Sequence, residues 1–271
     1  MIEHGDPISV NFGGFVSLST IDWRGRAVCT VFLRGCPLRC SYCQNEAIQT
    51  GEDNREIGEI ASMIRTSSPF ISGVVFSGGE PAAQREALIA LARIAKGMGL
   101  AVGIQTSGLF PETLEALIGE RLVDKIAIDY KTEWEGFSGA GKGGPARPRS
   151  GYRKNVTRSI AICRNAWKEK TLAEFEIVVT VFYENITSLR AISDTNGDVP
   201  LVLQQGEHKI PMMPDKNVNM SEYIARKQTT IERYTPMTLA EIVKIAEGLR
   251  RDIRIRTREV GEITCTRRFI L

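Results

Sequence analysis

Three cysteines fall close together in the run Cys36-Pro-Leu-Arg-Cys40-Ser-Tyr-Cys43. Thiolates are soft ligands that suit iron–sulfur clusters or zinc. A structural zinc site takes four protein ligands, and no further Cys or His follows closely. Cys29, Cys163 and Cys265 are isolated along the chain, as are His4 and His208. Cys29 and Cys163 fall within apolar patterns and read as core residues. Three protein ligands on a four-iron cluster leave one iron open to a small molecule, and catalysis needs an open coordination site. Zinc with a distant fourth ligand is the alternative, and it implies a zinc-stabilised binding module instead of an enzyme.

A second group with chemical potential is Ser77-Gly78-Gly79-Glu80-Pro81. Two glycines let a backbone approach a ligand closely, and a carboxylate partners an ammonium. The same residues also make an ordinary strand-to-helix turn with Pro81 in the first helical turn. The stretch Gly136–Lys142 has the glycine and lysine spacing of a phosphate loop. Gly143 replaces the required Ser or Thr, however, and Gly144-Pro145 follows where a helix should begin. It is rejected as a nucleotide site. No catalytic triad or paired-carboxylate motif stands out, so no catalytic side chain is assigned.

The elements that position these groups alternate. Strand-like runs rich in Val, Ile and Phe are Val28–Arg34, Gly73–Ser77, Leu100–Thr106, Val123–Asp129, Glu176–Phe182, Leu201–Gln205 and Ile253–Thr257. Helical spacing relates Leu88, Leu91, Ala92 and Ala95, and again Leu239, Ile242, Val243, Ala246 and Leu249. Asn155–Trp167 reads as a further helix. Repeated β–α order implies parallel strands with right-handed helical crossovers, in a barrel or a doubly wound sheet. Two stretches interrupt it and are expected to be mobile loops, 133–150 and 208–234. Both follow strands, which places them on the ligand side.

The chain has 271 residues, is 42% apolar and carries a net charge of +3. That length suits one α/β domain spanning 1–271, with the N-terminal residues 1–27 appended. Bulk charge does not argue for nucleic acid. Basic residues nevertheless crowd Lys142–Lys170 and Arg250–Arg258, resuming at Arg267 and Arg268. Solvated faces explain such runs, and docking to an acidic protein or polynucleotide is the sharper reading. The N-terminal sequence lacks a basic region followed by an apolar one, and no apolar run approaches a membrane span. A cytoplasmic location without membrane association is expected.

The cysteine spacing, with an aromatic before the last Cys, resembles the radical S-adenosylmethionine (SAM) superfamily. Ser77–Pro81 is similar to that superfamily's Gly-Gly-Glu-Pro turn. The opening Gly14–Gly25 resembles the glycyl-radical-enzyme activases, in particular the activating proteins of anaerobic ribonucleoside-triphosphate reductase. Arg24 stands where that branch usually has Pro. Gln105-Thr106-Ser107-Gly108 is similar to the branch's Asp-Thr-Asn-Gly, and Asp129-Tyr130-Lys131 to its Asp-Ile/Leu-Lys. Leu203–Gln205 and Arg254–Arg256 also resemble segments of the branch. Gln105 is neutral where the branch has an acid that helps bind a monovalent cation, so the resemblance does not carry that cation site here.

The resemblance implies an α/β fold, a partial (β/α) barrel with parallel strands and helices outside. It implies two cofactors, a 4Fe–4S cluster on Cys36, Cys40 and Cys43, and SAM. Tyr42 would approach the adenine, and Ser77, Gly78, Gly79 and Glu80 would hold the methionine end. Thr106, Ser107, Asp129 and Lys131 would meet the carboxylate or ribose. The implied function is reductive cleavage of SAM to a 5′-deoxyadenosyl radical that generates a glycyl radical on a partner enzyme. The expected partners are an anaerobic ribonucleotide reductase and a one-electron donor such as ferredoxin or flavodoxin. The alternative within the superfamily is modification of a small molecule or tRNA, in the manner of a deazapurine synthase or tRNA-modifying enzyme.

Overall fold

The computed structural model describes residues 8–40, 42–131, 149–207 and 235–266. Strands and helices alternate along it, as the sequence pattern requires, and the α/β class with mostly parallel strands is present. The chain separates into two compact units. The first contains the described residues up to Arg39, then Asn45–Tyr130, and the stretch ending at Glu176. The second contains Cys40–Gln44, Lys131 and the residues from Ile177 onward.

In the first unit, β1 (Ser9–Ser19) pairs antiparallel with both β2 (Val28–Leu33) and β3 (Asn54–Glu56). From β2 the sheet continues through parallel pairs to β4 (Gly73–Gly78), β5 (Ala101–Thr106) and β6 (Lys125–Asp129). These strands are buried nearly throughout, which explains their continuous apolar runs in place of alternation. Helices α1 (Ile57–Ser67), α2 (Arg85–Gly97), α3 (Pro111–Gly119) and α4 (Arg149–Lys168) occupy the connections. Helix α2 buries Leu88, Leu91, Ala92 and Ala95, the stripe read from spacing.

The second unit holds most of β7 (Glu174–Val181), which runs parallel to β8 (Leu201–Gln205), which in turn runs parallel to β9 (Ile253–Thr257). An antiparallel β10 (Gly261–Cys265) adds to β9. Helices α5 (Ile186–Thr195) and α6 (Leu239–Gly248) complete the described part. Thr238 and Glu241 start α6 with a reciprocal capping box.

Several boundaries differ from the sequence reading. Helix α4 begins at Arg149, so the last two residues of the expected loop 133–150 are helical. The rest of that loop that precedes 149, including Gly136–Lys142, lies outside the described residues, as does all of 208–234. The short edge strands β3 and β10 had no distinct apolar signature. They form because an antiparallel neighbour offers unpaired backbone groups.

A buried group ties the first unit together. Trp23 is 1% exposed, and its ring packs on Val28 and Val75. A side chain on Gly103 would meet that ring at 2.9 Å, so β5 needs glycine there. The Trp23 indole N–H donates to Glu174 at 3.1 and 3.2 Å. Lys125, also buried, pairs with Glu176 at 3.3 Å and lies 5.7 Å from the Trp23 ring centre. Nearby, Asp22 accepts from Thr30 at 2.7 Å, and Ser19 Oγ accepts from the Ile21 and Asp22 N–H groups. Part of the Gly14–Gly25 segment is thus a turn followed by a core side chain.

Candidate functional site

The cysteine loop leaves the end of β2. Gly35 has φ +92°, which turns the chain out of the strand. The loop is then laced to residues that follow the last cysteine. Gly35 N donates to Ile48 O at 2.8 Å, and Cys36 N to Gln49 O at 3.0 Å. Arg34 donates to the carbonyls of Phe12, Ala47 and Thr50. Gln84 Nε2 donates to Asn11 O and Arg34 O at 3.0 and 2.9 Å, which ties β1 to the same exit. The Arg39 guanidinium caps the carbonyls of Cys36 and Leu38. In the second unit, Cys43 N donates to Cys40 O at 3.1 Å and closes a turn between the two thiols.

Cys36, Cys40 and Cys43 are half-exposed, whereas Cys29 and Cys163 are fully buried. Burial pushes the Cys29 thiol up to about 12 and raises that of Cys163 as well. A thiol that resists ionisation is a poor ligand, because the thiolate binds metal. By donor chemistry the three accessible motif thiols suit a metal and the two core thiols do not. Among the described residues, no three His, Cys, Asp or Glu side chains gather into a ready metal-ligating group.

The glycine turn sits beside this exit, within the first unit. Gly78 pairs with Leu33 at the end of β4 and has φ +118°. Gly79 N donates to Leu33 O and Glu80 N to Gly35 O, both at 2.8 Å. A Cβ on Gly79 would lie 2.2 Å from Gly35 O, and one on Gly78 would lie 2.5 Å from Leu33 O. The close approach that these glycines permit is therefore to the chain entering the cysteine loop. Asn45 Nδ2 donates to Gly78 O at 3.0 Å and adds a tie from beyond Cys43. Pro81 opens a short 3-10 turn, Pro81–Ala83, so the strand-to-helix role is also real.

Glu80 is 1% exposed and accepts four hydrogen bonds. Its donors are Ala82 N at 3.1 Å, Thr106 Oγ1 at 2.6 Å, Ser107 N at 2.8 Å and the Ser107 hydroxyl. Burial holds the carboxyl above its ordinary range, against the downward pull of those donors. Ser77 Oγ donates to Gln105 Oε1 at 2.8 Å, and Gln105 Nε2 reaches Asp22 O at 3.4 Å. The structure thus brings Ser77, Gly78, Gly79, Glu80, Thr106 and Ser107 together at the ends of β4 and β5. Asp129 ends β6, one residue beyond Ile128, the register partner of Thr106. In the second unit, Lys131 Nζ lies 5.5 Å from the Tyr42 ring centre.

Sequence reasoning missed Gly35, Asn45 and Gln84 as parts of this framework. Gly35, immediately before Cys36, carried a turn signal. The two amides act through contacts across more than thirty residues of chain, and no local pattern marks them.

A family model described as the radical SAM superfamily matches residues 30–179, more than half of the chain, and the chain belongs to that superfamily. The matched stretch begins in β2 and contains every residue named above from Cys36 to Lys131. A candidate glycyl-radical enzyme activating enzyme of Methanocaldococcus jannaschii is 39% identical over 125 residues, covering 46% of this chain and 51% of that protein. A 7-carboxy-7-deazaguanine synthase of Methanospirillum hungatei is 34% identical over 84 residues, covering 30% of this chain and 35% of that protein. The chain spans about half or less of the length of these curated relatives. A TYW1 structure with a lysine-pyruvate adduct bound superposes with a TM-score of 0.54 at 12% identity, covering 89% of this chain and 80% of that one. That likeness shows the α/β fold. Within that superfamily the chain is similar to the activating enzymes.

Proposed function

We propose that this protein installs a glycyl radical on a partner enzyme, with an anaerobic ribonucleotide reductase as that partner. The observation that carries the reading is the Cys36–Cys43 run within the superfamily match, combined with the likeness to an activating enzyme. In this reading Cys36, Cys40 and Cys43 hold a 4Fe–4S cluster. When bound, cluster and SAM together supply reductive cleavage of the sulfonium to methionine and a 5′-deoxyadenosyl radical. The protein's residues bind, orient and exclude water. Gly78 and Gly79 present main chain to the methionine end, with the charge of Glu80 behind them and Ser77 alongside. An incoming ammonium competes with the Thr106 and Ser107 hydroxyls for that carboxylate. Tyr42 offers a ring face to adenine, while Thr106, Ser107, Asp129 and Lys131 serve the carboxylate or ribose. The chain works as one radical SAM domain in the cytoplasm and takes its electron from a ferredoxin or flavodoxin. No described helix is long and apolar enough to cross a membrane.

The test begins with anaerobic reconstitution, which should give about four irons and four sulfides per chain, the content of one cubane. Ala at Cys36, Cys40 or Cys43 should abolish SAM cleavage, and Ala at Cys163 should not. Reduced protein, SAM and the reductase should then give a glycyl radical doublet by electron paramagnetic resonance. SAM cleavage without a radical on any co-occurring reductase sinks the activase reading. The likeness to a deazaguanine synthase supports a second reading, action on a small molecule. Product analysis with candidate purine precursors separates the two.

A further inference from the structure

Tyr42 lies in a loop with little regular structure, yet its ring has a built support inside the second unit. Phe182 follows β7, and its ring centre lies 5.2 Å from that of Tyr42 at an interplanar angle of 51°. That spacing and tilt belong to an attractive aromatic pair. Phe182 is 1% exposed and its backbone is fixed from two sides. Its N–H donates to Asn185 Oδ1 at 3.0 Å, and it bridges Pro236 antiparallel. The ring occupies space that only a glycine leaves open. A Cβ at Gly206 would lie 2.3 Å from Phe182 Cε1 and 2.4 Å from Cζ. Gly206 is held there because its N–H donates to Val181 O at 3.1 Å, just past the end of β8.

We infer that Phe182, seated on Gly206, is a positioning residue that sets the Tyr42 ring and, through it, the turn carrying Cys40 and Cys43. Neither residue belongs to the motifs described above. The chain of contact is Gly206 to Phe182 to Tyr42, and Tyr42 is bonded directly to Cys43. The ends of parallel strands β7 and β8 thereby support one side of the Tyr42 ring, which also has Lys131 Nζ 5.5 Å from its centre. Only the SAM readout rests on the function proposed above; the thiol readout does not.

The experiment uses the metal-free full chain, with alkylation of each cysteine by iodoacetamide mapped by mass spectrometry. Phe182→Leu should speed alkylation of Cys43 by about fivefold, the factor set by losing one aromatic pair. Cys36 serves as internal reference. Tyr42→Leu should give the same acceleration, and the double variant no more than either single one. Full additivity would show that Phe182 does not act through Tyr42 and would overturn the inference, as would an unchanged Cys43 rate in folded Phe182→Leu. Should Phe182→Leu fail to fold, Gly206→Ala displaces the ring by the methyl overlap and must give the same result. In reconstituted protein the same variants should weaken SAM binding by a similar factor, again without additivity. Altered Cys43 reactivity with SAM binding unchanged keeps the positioning role and removes Tyr42 from the proposed ligand site.

Discussion

Glu80 shows how much one side chain can be asked to do. It is buried, it accepts from Ala82, Thr106 and Ser107, and it is the proposed anionic neighbour of an ammonium. Gln keeps its shape but loses the charge. Glu80→Gln should weaken SAM binding by roughly tenfold or more, the worth of a charge-assisted bond, as read by calorimetry on reconstituted protein. Unchanged affinity would confine Glu80 to bracing β4 against β5. A pH experiment separates the brace from the ligand role. Burial raises the carboxyl above its usual 4.5, so the folded chain binds that proton more tightly than the unfolded one. Stability from Glu80 is then fully present below the unfolded value and lost as pH rises through the folded one. As pH falls toward the ordinary carboxylate value, the thermal midpoint of the metal-free wild type should gain on that of Glu80→Gln. A constant difference would contradict a raised value. The cysteines divide by the same logic. Burial raises the thiols of Cys29 and Cys163, so mild alkylation of metal-free protein should mark Cys36, Cys40 and Cys43 before either.

At the scale of elements, the ends of β2 and β4 act as one piece. Gly78 and Gly79 lie against Leu33 and Gly35, and two backbone hydrogen bonds at 2.8 Å seal the contact. A methyl group on Gly79 overlaps Gly35 O, and backbone cannot swing aside as a flexible side chain would. Gly79→Ala should therefore destabilise the metal-free chain by about 2 kcal/mol or more, in the range of overpacked cores. A thermal midpoint equal to wild type would mean that the two strand ends separate at little cost. Trp23 makes a similar joint farther along the sheet. Its ring fills the space left by Gly103, while Glu174 and Glu176 hold its indole N–H and Lys125. Lys125→Ala would leave Glu176, which is 3% exposed, without that cation. The expected cost is about 3–5 kcal/mol, and chemical denaturation measures it.

Across the whole molecule, charge that looked available in the sequence is partly committed. Arg158 on α4 pairs with Glu112 and Glu115 of α3. Arg254 and Arg256 share Glu262, Arg258 meets Glu207, and Arg251 caps the carbonyls of Ser193, Asn196 and Val199. Among the described residues, these arginines of the two basic stretches have acids or carbonyls of the protein as partners. A broad phosphate-binding surface needs cations free to replace counterions. Affinity for bulk tRNA at about 0.15 M salt should thus stay in the non-specific range of roughly 1–100 µM, as read by filter binding. Submicromolar binding with a steep salt dependence would favour the RNA-modifying reading over the activase one.

The residue types available for chemistry and the order of the elements were legible along the sequence alone. Soft ligands at fixed spacing, a glycine-glycine-acid turn after an apolar run, and alternating strand and helix periods are local properties, legible within a few residues of one another. The cysteine loop, the α/β class with parallel strands and the α2 stripe followed from them. Glu80 was legible as a charge, but its burial and its four donors were not, because Thr106 and Ser107 reach it only once β4 and β5 lie side by side. The sequence marked Gly78 and Gly79 as a place of close backbone approach, and the fold adds one such approach that spacing could not show, to the main chain of Leu33 and Gly35. Gln105 read as a lost charge and proved to be a tie between Ser77 and Asp22. Gly206 carried no signal at all until Phe182 was seen to occupy the space where its side chain would be. Spacing along a chain fixes which groups are available, but packing between distant segments decides which of them are already engaged. That second question is one of tertiary structure because hydrogen bonds and excluded volume act over a few ångströms of space, whatever the separation in sequence.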